Sequence, residues 1–127
     1  MHERDLFEYA VIRVVPRVER EEFLNVGVVL YCARQKFLKM LYKINTPRLK
    51  ALCDECDVDS VKGYLQAFQR VCVGGSDAGP IGRLPVAERF RWLTATRSTI
   101  VQTSKVHPGF CDNAGETLDK LFARLVE

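Results

Sequence analysis

FEYAVIRVVP, from Phe7 to Pro16, decides the fold. Nearly every residue in it is apolar, aromatic or β-branched. A strand with one face in water would alternate apolar with polar side chains, whereas a near-continuous apolar run belongs to a strand covered on both faces. Pro16 ends the strand, because proline has no N–H to give to a ladder. LNVGVVLYC (24–32) repeats the pattern, and Gly27 in its interior predicts a bulge or the close approach of another backbone. A polar turn at 33–36 leads into FLKMLYKIN (37–45). There Leu38, Met40, Tyr42 and Ile44 share one face, and Lys39 and Lys43 look outward with Phe37 and Leu41. Connections this short predict an antiparallel meander.

Helical signals follow. Thr46-Pro47 is an N-cap with proline at the first helical position, so a short helix runs to about Leu52. Asp57 or Asp59 caps the next one, whose apolar stripe is Val61, Leu65, Phe68 and Cys72, and Gly74-Gly75 stops it. GGSDAGPIGRLP (74–85) is a surface loop, too short to separate two domains. Residues 86–93 form a short helix carrying Trp92, and STIVQT (98–103) a further strand. Residues 104–112 are a loop turning at His107-Pro108-Gly109. Asp112 or Asn113 caps a last helix with Leu118, Leu121, Phe122 and Leu125 on its buried stripe. The fold class is α+β: one domain over residues 1–127, an antiparallel sheet of about four strands with helices packed on it.

Length and composition agree with that. The chain has 127 residues, 47% hydrophobic and 28% charged, which suits one ordinary globular core. Its net charge of +3 is spread among acidic residues, as in RVEREE (17–22), and falls short of the basic bias of a typical nucleic-acid binder. No apolar run approaches the roughly 20 residues that span a bilayer. MHERDLFEYA lacks the apolar core of a secretory signal, so the expected location is the cytoplasm. The 5 cysteines, Cys32, Cys53, Cys56, Cys72 and Cys111, are then free thiols. Cys53-x-x-Cys56 is a single pair, whereas a structural zinc site needs four ligands. Asp54, Glu55 and Asp57 around it disfavour a reactive thiolate. No metal and no cofactor is expected.

A functional site is expected where hydrogen-bonding side chains exceed what a core strand needs. FRWLTATRSTIVQTSKVHPGFC (90–111) holds Trp92, Arg97, Ser98 and His107 in one short segment. Arg97-Ser98 pairs a planar guanidinium, suited to carboxylate or phosphate, with a neighbouring hydroxyl donor. It equally suits an arginine clamping the backbone at a helix-to-strand junction. Arg13 interrupts an apolar strand and must be paired or reach water, with Glu22 the expected partner. Asn25 either binds a ligand or ties down the turn before its strand. His107 could serve Ser98 or Ser104 as a base, but neither serine stands in a nucleophile elbow. No phosphate-cradling loop, dinucleotide fingerprint or zinc-helix motif is present, so no catalytic residue is assigned.

YAVIRVVP (9–16), EEFLNVGVVLY (21–31) and FRWLTATRSTIVQTS (90–104) resemble a bacterial family of uncharacterised proteins, domain-of-unknown-function family number three thousand and thirty-seven. The resemblance covers nearly the whole chain. It implies no established activity, but it does imply a genomic place beside a kinase-like gene of the HipA type. Cys53 and Cys56, Lys105 in place of a usual proline, and Arg91 in place of a common histidine depart from the pattern.

The functional expectation is a non-catalytic protein-interaction or regulatory module, with a kinase-like protein as its partner. Its binding residues are Trp92, Arg97, Ser98, Arg13, Glu22, Asn25 and His107. One alternative is nucleic-acid binding through Arg13, Arg17, Arg20, Arg34 and Arg48. Another is a small hydrolase or transferase built on Ser98, His107 and Arg97. No contact with a membrane is expected.

Overall fold

A computed structural model describes residues 4–127. Its centre is β1 (Asp5–Val14), the apolar strand of the opening segment. On one edge β1 pairs antiparallel with β2 (Leu24–Cys32), which pairs in turn with β3 (Phe37–Tyr42). The other edge is shared. β4 (Val101–Thr103) lies along the last residues of β1, and β5 (His107–Cys111) lies along the first. The result is a five-stranded antiparallel sheet.

Both faces of the sheet are covered. On one, α1 (Thr46–Leu52), α2 (Val58–Val73), the short α3 (Gly79–Gly82) and α4 (Val86–Leu93) close over Ala10, Ile12, Val14 and Met40, with Leu65 of α2 and Phe90 of α4 in the same core. On the other, α5 (Ala114–Leu125) closes over Phe7, Val28, Leu30 and Cys32. Alternate residues of β1 therefore meet different helices, and an uninterrupted apolar run is the sequence of such a strand. Phe37 and Leu41, expected to look outward from β3, pack beneath α5.

Gly27 fulfils both readings of its position. Ile12 faces Gly27 and Arg13 faces Asn25, so Val26 is an extra residue, a bulge in β2. A Cβ on Gly27 would lie 2.6 Å from the Leu41 carbonyl oxygen and 2.9 Å from the Tyr42 Cβ. Only glycine permits that approach.

The helix boundaries follow local capping. Asn45, and not Thr46, caps α1, its side chain accepting from the Arg48 N–H at 3.1 Å. Asp57 caps α2 by accepting from the amides of Asp59 and Ser60. The Ser60 hydroxyl and amide also hold the Asp57 carboxyl below its ordinary pKa. Gly74, at φ 84°, ends α2. The segment expected as open loop after it is partly ordered, with a 3-10 turn at Ser76–Ala78 followed by α3.

The largest departure from expectation is β5, which the sequence reads as a loop because it contains Pro108 and Gly109. Pro108 is tolerated on an outer strand, where the missing N–H can face away from the ladder. Gly109 is needed because the Phe7 ring lies on it: a Cβ there would stand 2.5 Å from that ring. β4 and β5 are separated by residues 104–106, and Ser104 keeps the ladder bonded across the gap. The Ser104 N–H donates to the Val11 carbonyl at 2.8 Å, and the Val11 N–H donates to the Ser104 Oγ, also at 2.8 Å. The hydroxyl thus stands in for a backbone carbonyl. Its own proton goes to the Lys105 carbonyl at 2.9 Å.

Candidate functional site

Trp92 and Arg97 meet at the end of α4. The Arg97 Nη2 donates to the Trp92 carbonyl. Its guanidinium lies over two rings, 4.7 Å from the centroid of Trp92 and 4.9 Å from that of Phe68. Trp92 meets Phe68 edge-on, with centroids 6.0 Å apart. Arg97 therefore closes its own helix and stacks on α2, and burial lowers its pKa from the ordinary arginine value. This is the junction clamp foreseen as the alternative to ligand capture. Arg97→Ala is expected to lower unfolding free energy by about 2 kcal/mol, since it removes a charged hydrogen bond and a cation–π stack. Urea denaturation checks this, and an unchanged midpoint would remove the clamp. Ser98, next in sequence, is exposed and makes no hydrogen bond to Arg97 among the described residues.

His107 is also exposed, its ring 5.4 Å from that of Tyr9, with which it is paired across the strands. Ser104 directs its proton to a carbonyl and not to an imidazole. Among the described residues, neither Ser98 nor Ser104 is hydrogen-bonded to His107.

Arg13 lies between Asn25 on β2 and Gln102 on β4, its cross-strand partners. Its guanidinium carbon sits 4.0 Å over the Phe23 ring, and its Nε is buried without a hydrogen-bond partner. The Asn25 Nδ2 donates to the Leu125 carbonyl at 3.2 Å, tying the start of β2 to the end of α5, while its Oδ1 is buried and unbonded. Glu22, the expected partner of Arg13, pairs with Arg20 instead. The acidic residue beside Arg13 is Glu21, which with Phe23, Gln102 and Thr103 lines a cleft of about 320 Å³.

The structure thus brings Arg13 and Asn25 together. His107 stands on the same sheet face, paired to Tyr9, four residues or about 13 Å along β1 from Arg13. Arg97 and Trp92 belong to the opposite, multi-helix face.

Sequence reasoning missed a second feature on that multi-helix face. Leu6 on β1 and Phe110 on β5 are direct cross-strand partners, 53% and 66% exposed. The helices cover the far end of the sheet and leave this pair bare. With Tyr31, Glu8, Arg4 and Arg34 it lines a groove of about 320 Å³. Arg34 is anchored there by an ion pair to Asp5, N to O 3.6 Å. No local signal marks the segment, since HPGFC (107–111) has no apolar–polar alternation. Once that segment is a strand, Cys111 faces the core and Phe110 cannot.

The sequence matches the family model DUF3037, a protein family of unknown function, over residues 9–126. The chain belongs to DUF3037. The match runs from Tyr9, within β1, to the residue after α5, and so takes in all the helices packed on the sheet and all its strands except residues 5–8 of β1. No curated protein matches the chain, and neither does any solved structure. Among the described residues of this DUF3037 protein, no helix is long and apolar enough to cross a membrane. No group of three or more His, Cys, Asp or Glu side chains among them is placed to hold a metal ion.

Proposed function

We propose that this protein is a non-catalytic binding module that docks a protein partner in the Leu6–Phe110 groove. The observation that carries this is the exposed Leu6–Phe110 pair itself, an apolar floor rimmed by Arg4, Arg34 and Glu8. Aromatic and arginine side chains around a desolvatable apolar centre are the composition of binding hot spots. Further support comes from the chemistry-bearing side chains. Arg97 closes a helix, Ser104 completes a ladder, and the His107 ring lies tilted against Tyr9, so each has a structural contact of its own. The genomic place expected beside a HipA-type gene makes a kinase-like protein the first partner to test.

Phe110→Asp places a charge on the groove floor at a side chain that contributes little to the core. It is expected to leave stability unchanged and to weaken partner binding about 30-fold, the loss of one hot spot. The check is a pull-down with wild-type and variant bait, with and without nuclease, followed by titration against the captured protein. Retention of every protein by the variant would refute the groove as the interface. Material lost only on nuclease treatment would favour nucleic-acid binding instead.

A further inference from the structure

The turn CDEC joins α1 to α2. The Cys53 N–H closes α1 on the Leu49 carbonyl at 2.9 Å, and the Cys56 N–H donates to the Cys53 carbonyl at 3.2 Å. A hydrogen-bonded turn holds its end Cα atoms within about 7 Å. A disulfide spans about 4.4–6.8 Å between Cα atoms, so the ring can close with little backbone movement.

Their surroundings differ. Cys56 is 8% exposed and belongs to the core under α2, whereas Cys53 is half-buried and lines an open cleft of about 360 Å³. Arg17 and Arg20 stand in the same cleft. Arg20 is held by Glu22, while Arg17 is exposed and makes no ion pair among the described residues. Asp54 and Glu22 line the cleft as well, so its charges balance, and Arg17 is the cation in it without an ion pair among the described residues. Cys53 is therefore a thiol at the wall of an open cleft that also holds Arg17, with a second thiol three residues on. The other three cysteines are sealed. Cys32, Cys72 and Cys111 are at most 4% exposed, and burial pushes the Cys72 thiol up to about 12.

We propose that Cys53 and Cys56 form a dithiol site that reacts with a small anionic disulfide of the glutathione class, held beside Arg17, and closes to an intramolecular disulfide. The Cys53 thiol gives its proton to solvent, and the thiolate attacks one sulfur of the small disulfide. That S–S bond breaks, a mixed disulfide forms on Cys53, and one small thiolate leaves and takes up a proton. The deprotonated Cys56 sulfur then attacks Cys53, expelling the second small thiolate. In sum, two protein thiols are oxidised and one small disulfide is reduced to two thiols. The acidic residues that flank the turn slow these attacks but do not oppose ring closure. Burial, the neighbouring Cys53 and Asp57 all raise the Cys56 pKa. A thiol of raised pKa is a poor leaving group, so the closed disulfide reopens slowly through expulsion of Cys56.

The test treats the full chain with glutathione disulfide, then denatures it, alkylates and digests with trypsin. The peptide 51–62 contains Cys53 and Cys56 and no other cysteine. It is expected to emerge unalkylated and lighter by two hydrogens, with Cys32, Cys72 and Cys111 alkylated. Cys56→Ser should trap one mixed disulfide on Cys53, and Cys53→Ser should leave the peptide reduced. Arg17→Ala should slow the reaction about threefold with glutathione disulfide and not at all with uncharged hydroxyethyl disulfide. The dithiol site is refuted if 51–62 remains doubly alkylated under conditions that fully oxidise dithiothreitol, or if another cysteine reacts first. Equal rates with charged and uncharged disulfides in both wild type and Arg17→Ala would overturn the role of the cleft.

Discussion

Gly27→Val is expected to destabilise the fold by about 3 kcal/mol or more, a large part of the roughly 5–15 kcal/mol that holds a domain together. The first atom of the new side chain would sit 2.6 Å from the Leu41 carbonyl oxygen and 2.9 Å from the Tyr42 Cβ, with Ile12 only 3.3 Å away. Two of these are fixed to the β3 backbone, so no rotamer change relieves the contact. β2 must part from β3 or unwind its bulge. Because β3 and β2 support both helical layers, the loss is global: the urea midpoint should fall sharply in a single transition. A variant as stable as wild type would mean that the bulge can be moved without cost.

Ser104→Ala is expected to cost about 2 kcal/mol, and for a reason unrelated to catalysis. The substitution leaves the Val11 N–H buried without an acceptor and deprives the Lys105 carbonyl of its donor. An unsatisfied buried polar group costs about 1–3 kcal/mol. The signature is local as well as global, because the Val11 amide should exchange its hydrogen with solvent faster in the variant. Full retention of both stability and exchange protection would show that another group takes over the bond.

Much of the architecture was legible in the sequence because it rests on short-range signals. The second apolar strand, the stripe Val61, Leu65, Phe68 and Cys72, and the short helix at Val86–Leu93 lie where the sequence reading put them, while the first strand runs from Asp5 to Val14 and not from Phe7 to Pro16. β5 was not legible. Its right to be a strand rests on Phe7, a residue about a hundred positions earlier whose ring needs Gly109 beneath it. The candidate groove was hidden for the same reason, since nothing local to Leu6 or to Phe110 announces that they are partners. Trp92 and Arg97 show the opposite limit. Their closeness in sequence survives in space, but the side chains turn onto their own helix and onto Phe68. Arg13 and Glu22 were matched by charge alone, and Arg20 lay nearer.

The order in which the chain is made gives the central strand a particular history. β1 is synthesised early and can zip to β2, and β2 to β3, at once, since those pairings span short loops. Its second edge must wait for residues 101–111, and its α5-side face for the helix after them. Until then a nascent chain displays a long β-branched strand with free backbone donors and acceptors, the kind of surface that recruits chaperones or pairs with a neighbouring nascent chain. The late β4 and β5 thus act as a seal, and a ribosome that stalls before Val101 would release the most aggregation-prone form of this protein.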